Sequence, residues 1–319
     1  LRGDLMNKSV TFLLTSLLMV LGLSACDSST QTSSVESSTG APEQSMTDQA
    51  ETASTEAAMP ATLADILAAQ PDDVVARYTY RNPEQTLNFF GIEPGMTVVE
   101  ALPGGGWYSK LLLPYLGSDG ELIGANYPVS MYELFGWSEE RLAKAASWTT
   151  DWPITAKGWV EGDTANVSAF VLGDLAEEQK GTADAVLLIR ALHNLARFEA
   201  DHGHLSAALG NVFDVLKPGG IVGVVQHAAP DSADDAWANG SRGYLKQAFV
   251  IEQMQAAGFE YVSASDINAN PQDLPGAEDS VWRLPPTLAG SKDDAERAAA
   301  MQAIGESNRM TLKFMKPTA

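Results

Sequence analysis

The chain has 319 residues, 45% hydrophobic and 19% charged, enough apolar sequence for one large domain or two small ones with a real core. Its formal net charge of −21 argues against nucleic acid and anionic lipid headgroups as partners, since both would be repelled. With a single cysteine, Cys26, no intrachain disulfide can form, and stability has to come from packing.

From Met6 the chain reads MNKSVTFLLTSLLMVLGLSAC, with Lys8 at its charged start and an apolar run from Val10 to Leu23. This is the layout of a secretory signal, and the run is short for a membrane span. Leu23-Ser24-Ala25-Cys26 resembles the lipobox of bacterial lipoproteins. That resemblance implies a lipidated Cys26 and a chain held at the cell envelope, facing the periplasm, with the membrane touched only through the anchor. Asp27 resembles an inner-membrane retention signal. Residues 26–59 are rich in Ser, Thr, Glu, Gln and Ala and read as a disordered tether after a signal at 1–25, which leaves 60–319 as the folded domain.

In the folded part, short helices are expected at 63–69 and 72–78, and a third opens at Asn82-Pro83-Glu84-Gln85 and runs toward Gly91. Thr97–Leu102 reads as a first strand, Trp107–Leu116 as a helix with one apolar face, and Glu121–Asn126 as a second strand. Between 127 and 180 four tryptophans are scattered among polar stretches, and a third strand is expected at 154–160 or at 169–172. Ala183–Ile189 is a nearly pure apolar strand, His202–Leu216 a helix, Gly220–Gln226 a strand and Tyr244–Ala257 a helix. Phe259–Ile267 and Thr311–Met315 supply the last strands, separated by an insertion at 268–308 that carries a helix at 293–304. Apolar runs of this kind suit strands buried on both faces of a parallel sheet, and the alternation predicts a doubly wound α/β fold. Ligands of such sheets sit beyond the carboxyl ends of the central strands.

The stretch VVEALPGGGWY, 98–108, lies at such an end and strips side chains from a tight turn, as a close-lying ligand requires. Dinucleotide folds want G-x-G-x-x-G, but Ser109 stands where the third glycine belongs, so a nicotinamide oxidoreductase is the weaker reading. Glu100 followed by Gly104 and Gly106, the LKPGG turn at 216–220, the ADAVLLIRALHNL stretch at 183–195 and the two closing strands resemble class I S-adenosylmethionine-dependent methyltransferases. Several further stretches, among them NANPQDLPG, VWRLPPTL and IGESNRMTLKF, resemble a family of exported bacterial proteins described only as predicted methyltransferases. The resemblance covers most of 81–316. It implies a seven-stranded, mostly parallel sheet with an antiparallel last strand, S-adenosylmethionine as cofactor and a small-molecule acceptor.

On that resemblance Glu100, Gly104, Gly105, Gly106, Asn126 and Arg190 are the expected cofactor-binding residues. Asn126 stands where an acid usually grips the ribose hydroxyls, and Asp163 or Asp174 is a candidate near the adenine. His193, His227 and Tyr244 are expected to face the acceptor, the two histidines because each follows a buried strand. Trp107 and Tyr108 are candidates for stacking on a ligand, or for core packing. Glu306 and Arg309, just before the last strand, are expected to form an internal ion pair. The four histidines show no spacing that gathers three metal ligands, so no metal is expected. A catalytically inactive, exported binding protein of the same fold is the alternative.

Overall fold

Seven apolar stretches form the strands of one sheet in a computed structural model that describes residues 62–318. The signal segment, the tether and Cys26 lie outside the described residues. The strands are β1 (Thr97–Ala101), β2 (Glu121–Asn126), β3 (Asn166–Val171), β4 (Ala183–Ile189), β5 (Leu216–His227), β6 (Glu260–Ser265) and β7 (Arg309–Met315). They lie in the order β3-β2-β1-β4-β5-β7-β6. The first five run parallel, while β7 is antiparallel to both β5 and β6. The order reverses between β1 and β4, which makes their carboxyl ends the switch point where a doubly wound sheet opens a crevice.

Each face of the sheet buries its own apolar layer, because side chains alternate along a strand. Val98 of β1 faces the helices at Leu63–Ala68, Pro83–Phe90, Ser109–Leu116 and Trp148–Lys157, whereas Val99 faces those at Leu192–Arg197, His204–Val215 and Gln247–Ala256. The same alternation turns Glu100 toward the Ser109–Leu116 helix, whose Leu111, Leu112 and Leu113 are fully buried. Burial of each such leucine contributes roughly 1.5–3 kcal/mol.

Several expectations change; among them, the helix expected at 72–78 is two short helices, Asp72–Val75 and Tyr78–Arg81. The third strand is Asn166–Val171, close to the second of the two expected positions, and 154–160 falls mostly on the helix Trp148–Lys157 with Ile154 exposed. The tryptophans that obscured this stretch are its packing surface: Trp148 and Trp152 stack with centroids 5.3 Å apart against β2. The helix expected from His202 is broken at Gly203, which has φ +66°, so that a short turn Glu199–His202 precedes His204–Val215. The helix expected from Tyr244 starts only at Gln247. Leu245 instead donates its N–H to the His227 carbonyl and accepts from Ala229, extending the end of β5. The insertion carries its helix at Ala295–Ile304, capped by the Asp294 carboxylate, which accepts from the Arg297 N–H.

Candidate active site

Two cavities open at the carboxyl ends of the central strands, and Leu102 lines both. The first, about 400 Å³, lies beyond β1 and β2 and is walled by Gly104, Asn126, Tyr127, Tyr132, Trp137 and Trp148. Tyr132 and Trp137 stack there at 4.1 Å, and the Arg141 guanidinium sits 3.9 Å over the Trp137 ring. The second, about 200 Å³, lies beyond β4 and β5 and is lined by Arg190, His193, His227, Trp282, Ser307 and Arg309 among others. Leu102 and Arg190 directly follow β1 and β4 in the left-handed region, at φ +53° and +59°, which costs a non-glycine residue about 1–2 kcal/mol. Their N–H groups donate to the carbonyls of Ala125 and Val225, so the neighbouring strands hold both turns in place.

Glu100 is 3% exposed and lies behind the glycine turn, where the Ser109 hydroxyl donates to its carboxylate at 2.6 Å. Burial pushes the carboxyl up to about 7, against the Ser109 hydrogen bond and the nearby Arg81 and Arg190. Arg81 stacks on Trp107 at 4.3 Å, and burial draws its pKa down to about 9. Glu306 is the counterion of this region: it pairs with Arg309, as its sequence position predicted, and also with Arg77 and Arg81. Its carboxyl sits below the usual range because the three arginines outweigh its burial.

Of the predicted glycines, Gly104 lines the larger cavity, and a side chain at Gly105 would meet nothing within 4 Å. Gly106 differs: with φ +75°, the place a Cβ would take is occupied by the Trp159 ring. Asn126 reaches the larger cavity, but its Oδ1 accepts from the Tyr127 N–H at 2.9 Å and the Tyr132 hydroxyl at 2.6 Å. Because a backbone N–H only donates, the oxygen is fixed on that side, and the amide nitrogen is the atom left for a ligand.

His193 and His227 both line the smaller cavity, with ring centroids 5.6 Å apart. Burial lowers the His193 pKa to about 4 and that of His227 well below its ordinary value, so both rings are uncharged at neutral pH. The His193 Nδ1 and the Gln226 Oε1 are both buried without a hydrogen-bond partner. A ring N–H complements an amide oxygen, so a proton on Nδ1 would suit these two atoms and would leave Nε2 as the accepting nitrogen. His227 Nδ1 lies 2.6 Å from the Ser307 hydroxyl, whose oxygen also accepts from Arg309 Nε.

Tyr244 does not face the acceptor side and is corrected here. It is fully buried, its hydroxyl lies 3.0 Å from the Asp273 carboxylate, and Arg283 donates to it at 2.8 Å. Burial raises its pKa, and the ring stacks on Trp237 behind His227. Trp107 and Tyr108 pack around Arg81 and line neither cavity. Asp163 precedes β3 and so sits at the wrong end of the sheet, while Asp174 is exposed beyond β3 and lines neither cavity. Sequence reasoning missed Arg81, Tyr132, Trp137 and Arg141, which no spacing marks, and Ser307, although it stands in the IGESNRMTLKF stretch. Among the described residues no group of three or more His, Cys, Asp or Glu is placed to hold a metal ion, and no helix is long and apolar enough to cross a membrane.

Strand order, the antiparallel β7 and the crevice at the switch point define a class I methyltransferase-like Rossmann fold. No family model matches the chain, and no curated protein matches it. Among solved structures the chain is similar to the cyclase SpnF, with 17% identity over 75% of this chain and 81% of that one, at a TM-score of 0.45. It is similar to a SAM-dependent methyltransferase from Aquifex aeolicus, with 14% identity over 80% of this chain and 98% of that one, at a TM-score of 0.41. A third is 1,6-didemethyltoxoflavin-N1-methyltransferase from Burkholderia thailandensis, solved with S-adenosylhomocysteine, with 14% identity over 82% and 91% at a TM-score of 0.40. At such scores the fold rests on this chain's own strand order and register.

The residues present fit an adenosyl cofactor with one departure. The larger cavity has the volume and aromatic walls that a nucleoside needs, and Gly104 and Gly105 leave the turn open beside it. The departure is Asn126, which offers a donor in place of two acceptor oxygens.

Proposed function

We propose that this chain is an S-adenosylmethionine-dependent methyltransferase acting on a small molecule. One observation carries the reading: a nucleoside-sized aromatic cavity and a polar cleft with two uncharged histidines share Leu102, the residue that follows β1. Bound there, the cofactor would supply an electrophilic methyl group on a sulfonium sulfur. Gly104 and Gly105 would let it lie close to the backbone, Asn126 would donate to its ribose, and Glu100 would hold the turn through Ser109. Methyl transfer depends chiefly on aligning its reactants, so the rigid turns at Leu102 and Arg190 matter more than strong acid or base groups. His193 Nε2, uncharged at neutral pH, would accept a hydrogen bond from an acceptor hydroxyl, amine or thiol and orient it toward the methyl group. We place the chain at the cell envelope, anchored through a lipidated Cys26.

Titration calorimetry of the chain with S-adenosylmethionine and S-adenosylhomocysteine tests the reading. Binding of either at micromolar concentration is expected, and no heat at high micromolar concentration would refute it. The occupied oxygen of Asn126 favours a second reading, an exported binding protein that keeps the fold and takes another ligand. A thermal-shift screen against nucleosides, cofactors and envelope metabolites separates the two, since stabilisation by a non-cofactor ligand alone sinks the enzyme.

A further inference from the structure

The smaller cleft holds a positive charge that nothing in the fold uses. Among the residues lining it, Glu306 is the one acid, and it is already engaged by Arg77, Arg81 and Arg309. Arg309 is engaged as well: beyond Glu306, its guanidinium donates to the Ser307 hydroxyl at 3.3 Å and the Tyr80 carbonyl at 3.2 Å. Arg190 is different. Among the described residues its side chain makes neither an ion pair nor a hydrogen bond, and it lines the cleft half-buried, with its guanidinium nitrogens still reaching solvent. Its strained backbone, pinned to Val225, fixes this unpaired charge at the mouth of the cleft, where a ligand can reach it.

The charge balance points the same way. The chain as a whole is acidic, at −21, yet Arg77, Arg81, Arg190 and Arg309 converge here on Glu306 and on Glu100, which is half protonated near neutral pH. Exposed acids more than about 8–10 Å away are screened by salt, whereas the partly buried arginines are screened much less, so a ligand in the cleft meets a local positive field. Opposite Arg190 the walls are apolar: Val281, Trp282, Leu284 and the Pro285-Pro286 pair.

We propose that the ligand of this cleft is a small organic anion, its carboxylate or phosphate bound by Arg190 and its apolar body lying against Trp282 and Pro286. On the methyltransferase reading, on which this role rests, that anion is the methyl acceptor. Arg190 then positions the acceptor and leaves the cofactor to the larger cavity, in contrast to the cofactor role its sequence position implied.

The test is calorimetry on the full chain with matched probes, 4-hydroxybenzoate against 4-hydroxybenzamide and phenyl phosphate against phenol, with and without saturating S-adenosylhomocysteine. At least tenfold tighter binding of one anion than of its uncharged partner is expected, weakening as salt is raised. Arg190→Gln should abolish that preference and Arg190→Lys should keep most of it, while both variants bind S-adenosylhomocysteine as the parent does and melt cooperatively. Equal binding of charged and uncharged probes, or no binding of any probe at millimolar concentration, overturns the proposal. Loss of S-adenosylhomocysteine binding in Arg190→Gln also overturns it, because Arg190 then belongs to the cofactor. If the parent shows the anion preference but binds no S-adenosylhomocysteine, the methyltransferase reading fails and the anion site stands.

Discussion

Replacing Glu100 by Gln should stabilise the protein, and by an amount that depends on pH. The carboxyl titrates at about 7 in the folded chain and near 4.5 when solvated, because burial disfavours the anion more than Ser109 and the arginines favour it. A native acid with a raised pKa binds its proton more tightly folded than unfolded, so stability falls as pH rises from 4.5 toward 7 and stays lowered above that. The difference corresponds to about 3 kcal/mol at pH 8.5 and almost nothing at pH 4.5. Gln keeps an oxygen for the Ser109 hydroxyl and carries no charge, so it removes that penalty without opening a cavity. For a domain of this size about 3 kcal/mol moves the melting temperature by roughly 6–12 °C. Thermal melts of parent and variant at pH 5 and pH 8.5, followed by circular dichroism, measure it. A gain of equal size at both pH values, or a loss at pH 8.5, would refute the reasoning and mean that Glu100 is a settled ion-pair partner. Calorimetry on the same samples is expected to show S-adenosylhomocysteine binding close to the parent's, since Gln keeps the Ser109 contact that holds the turn.

Glu306→Gln should have the opposite sign: it leaves Arg77, Arg81 and Arg309 without their shared counterion and costs about 3–5 kcal/mol at neutral pH, read by urea denaturation. Because the Glu306 pKa is lowered in the fold, the parent should lose this contribution as pH falls below about 4.5, through the folded value, and the two proteins should converge in acid. Gly106→Ala is expected to destabilise by about 1–3 kcal/mol or more, since the new Cβ meets the Trp159 ring at a positive φ. Gly105→Ala should leave the melt within about 0.5 kcal/mol of the parent and weaken cofactor binding, and equal melts for the two variants would contradict the packing role of Gly106. Tyr244→Phe should cost about 1–3 kcal/mol by leaving Asp273 and Arg283 short of a partner, with methyl transfer or ligand binding retained; loss of binding in a well-folded variant would return Tyr244 to the site.

Much of the sheet was legible in the sequence because each central strand is an unbroken apolar run, and period and length alone mark such runs. The glycine turn after β1 and the pairing of Glu306 with Arg309 were legible for the same local reason: residues a few positions apart meet whatever the rest of the chain does. The stretch 127–180 resisted because its tryptophans bury against β2 and the glycine turn instead of along one helix face, so no single period describes them. Tyr244 was misplaced because a short helical pattern gives no sign that Leu245 will bridge to the end of β5.

Sequence by itself therefore determined the fold class, the switch point at Glu100 to Gly106 and the placing of one histidine after β4 and another at the end of β5, because these depend on local pattern and on the one-way logic of parallel strands. Tertiary structure alone decided which groups remain free. Asn126 loses its oxygen to Tyr132, six residues on, and Tyr244 loses its hydroxyl to Asp273 and Arg283. Glu306 collects arginines from more than 220 residues away in the chain, and Arg190, with every acid around it taken or protonating, is left facing the cleft. Partnership is a sum over all neighbours in space, and it is the unpartnered charge in the finished packing that defines the site.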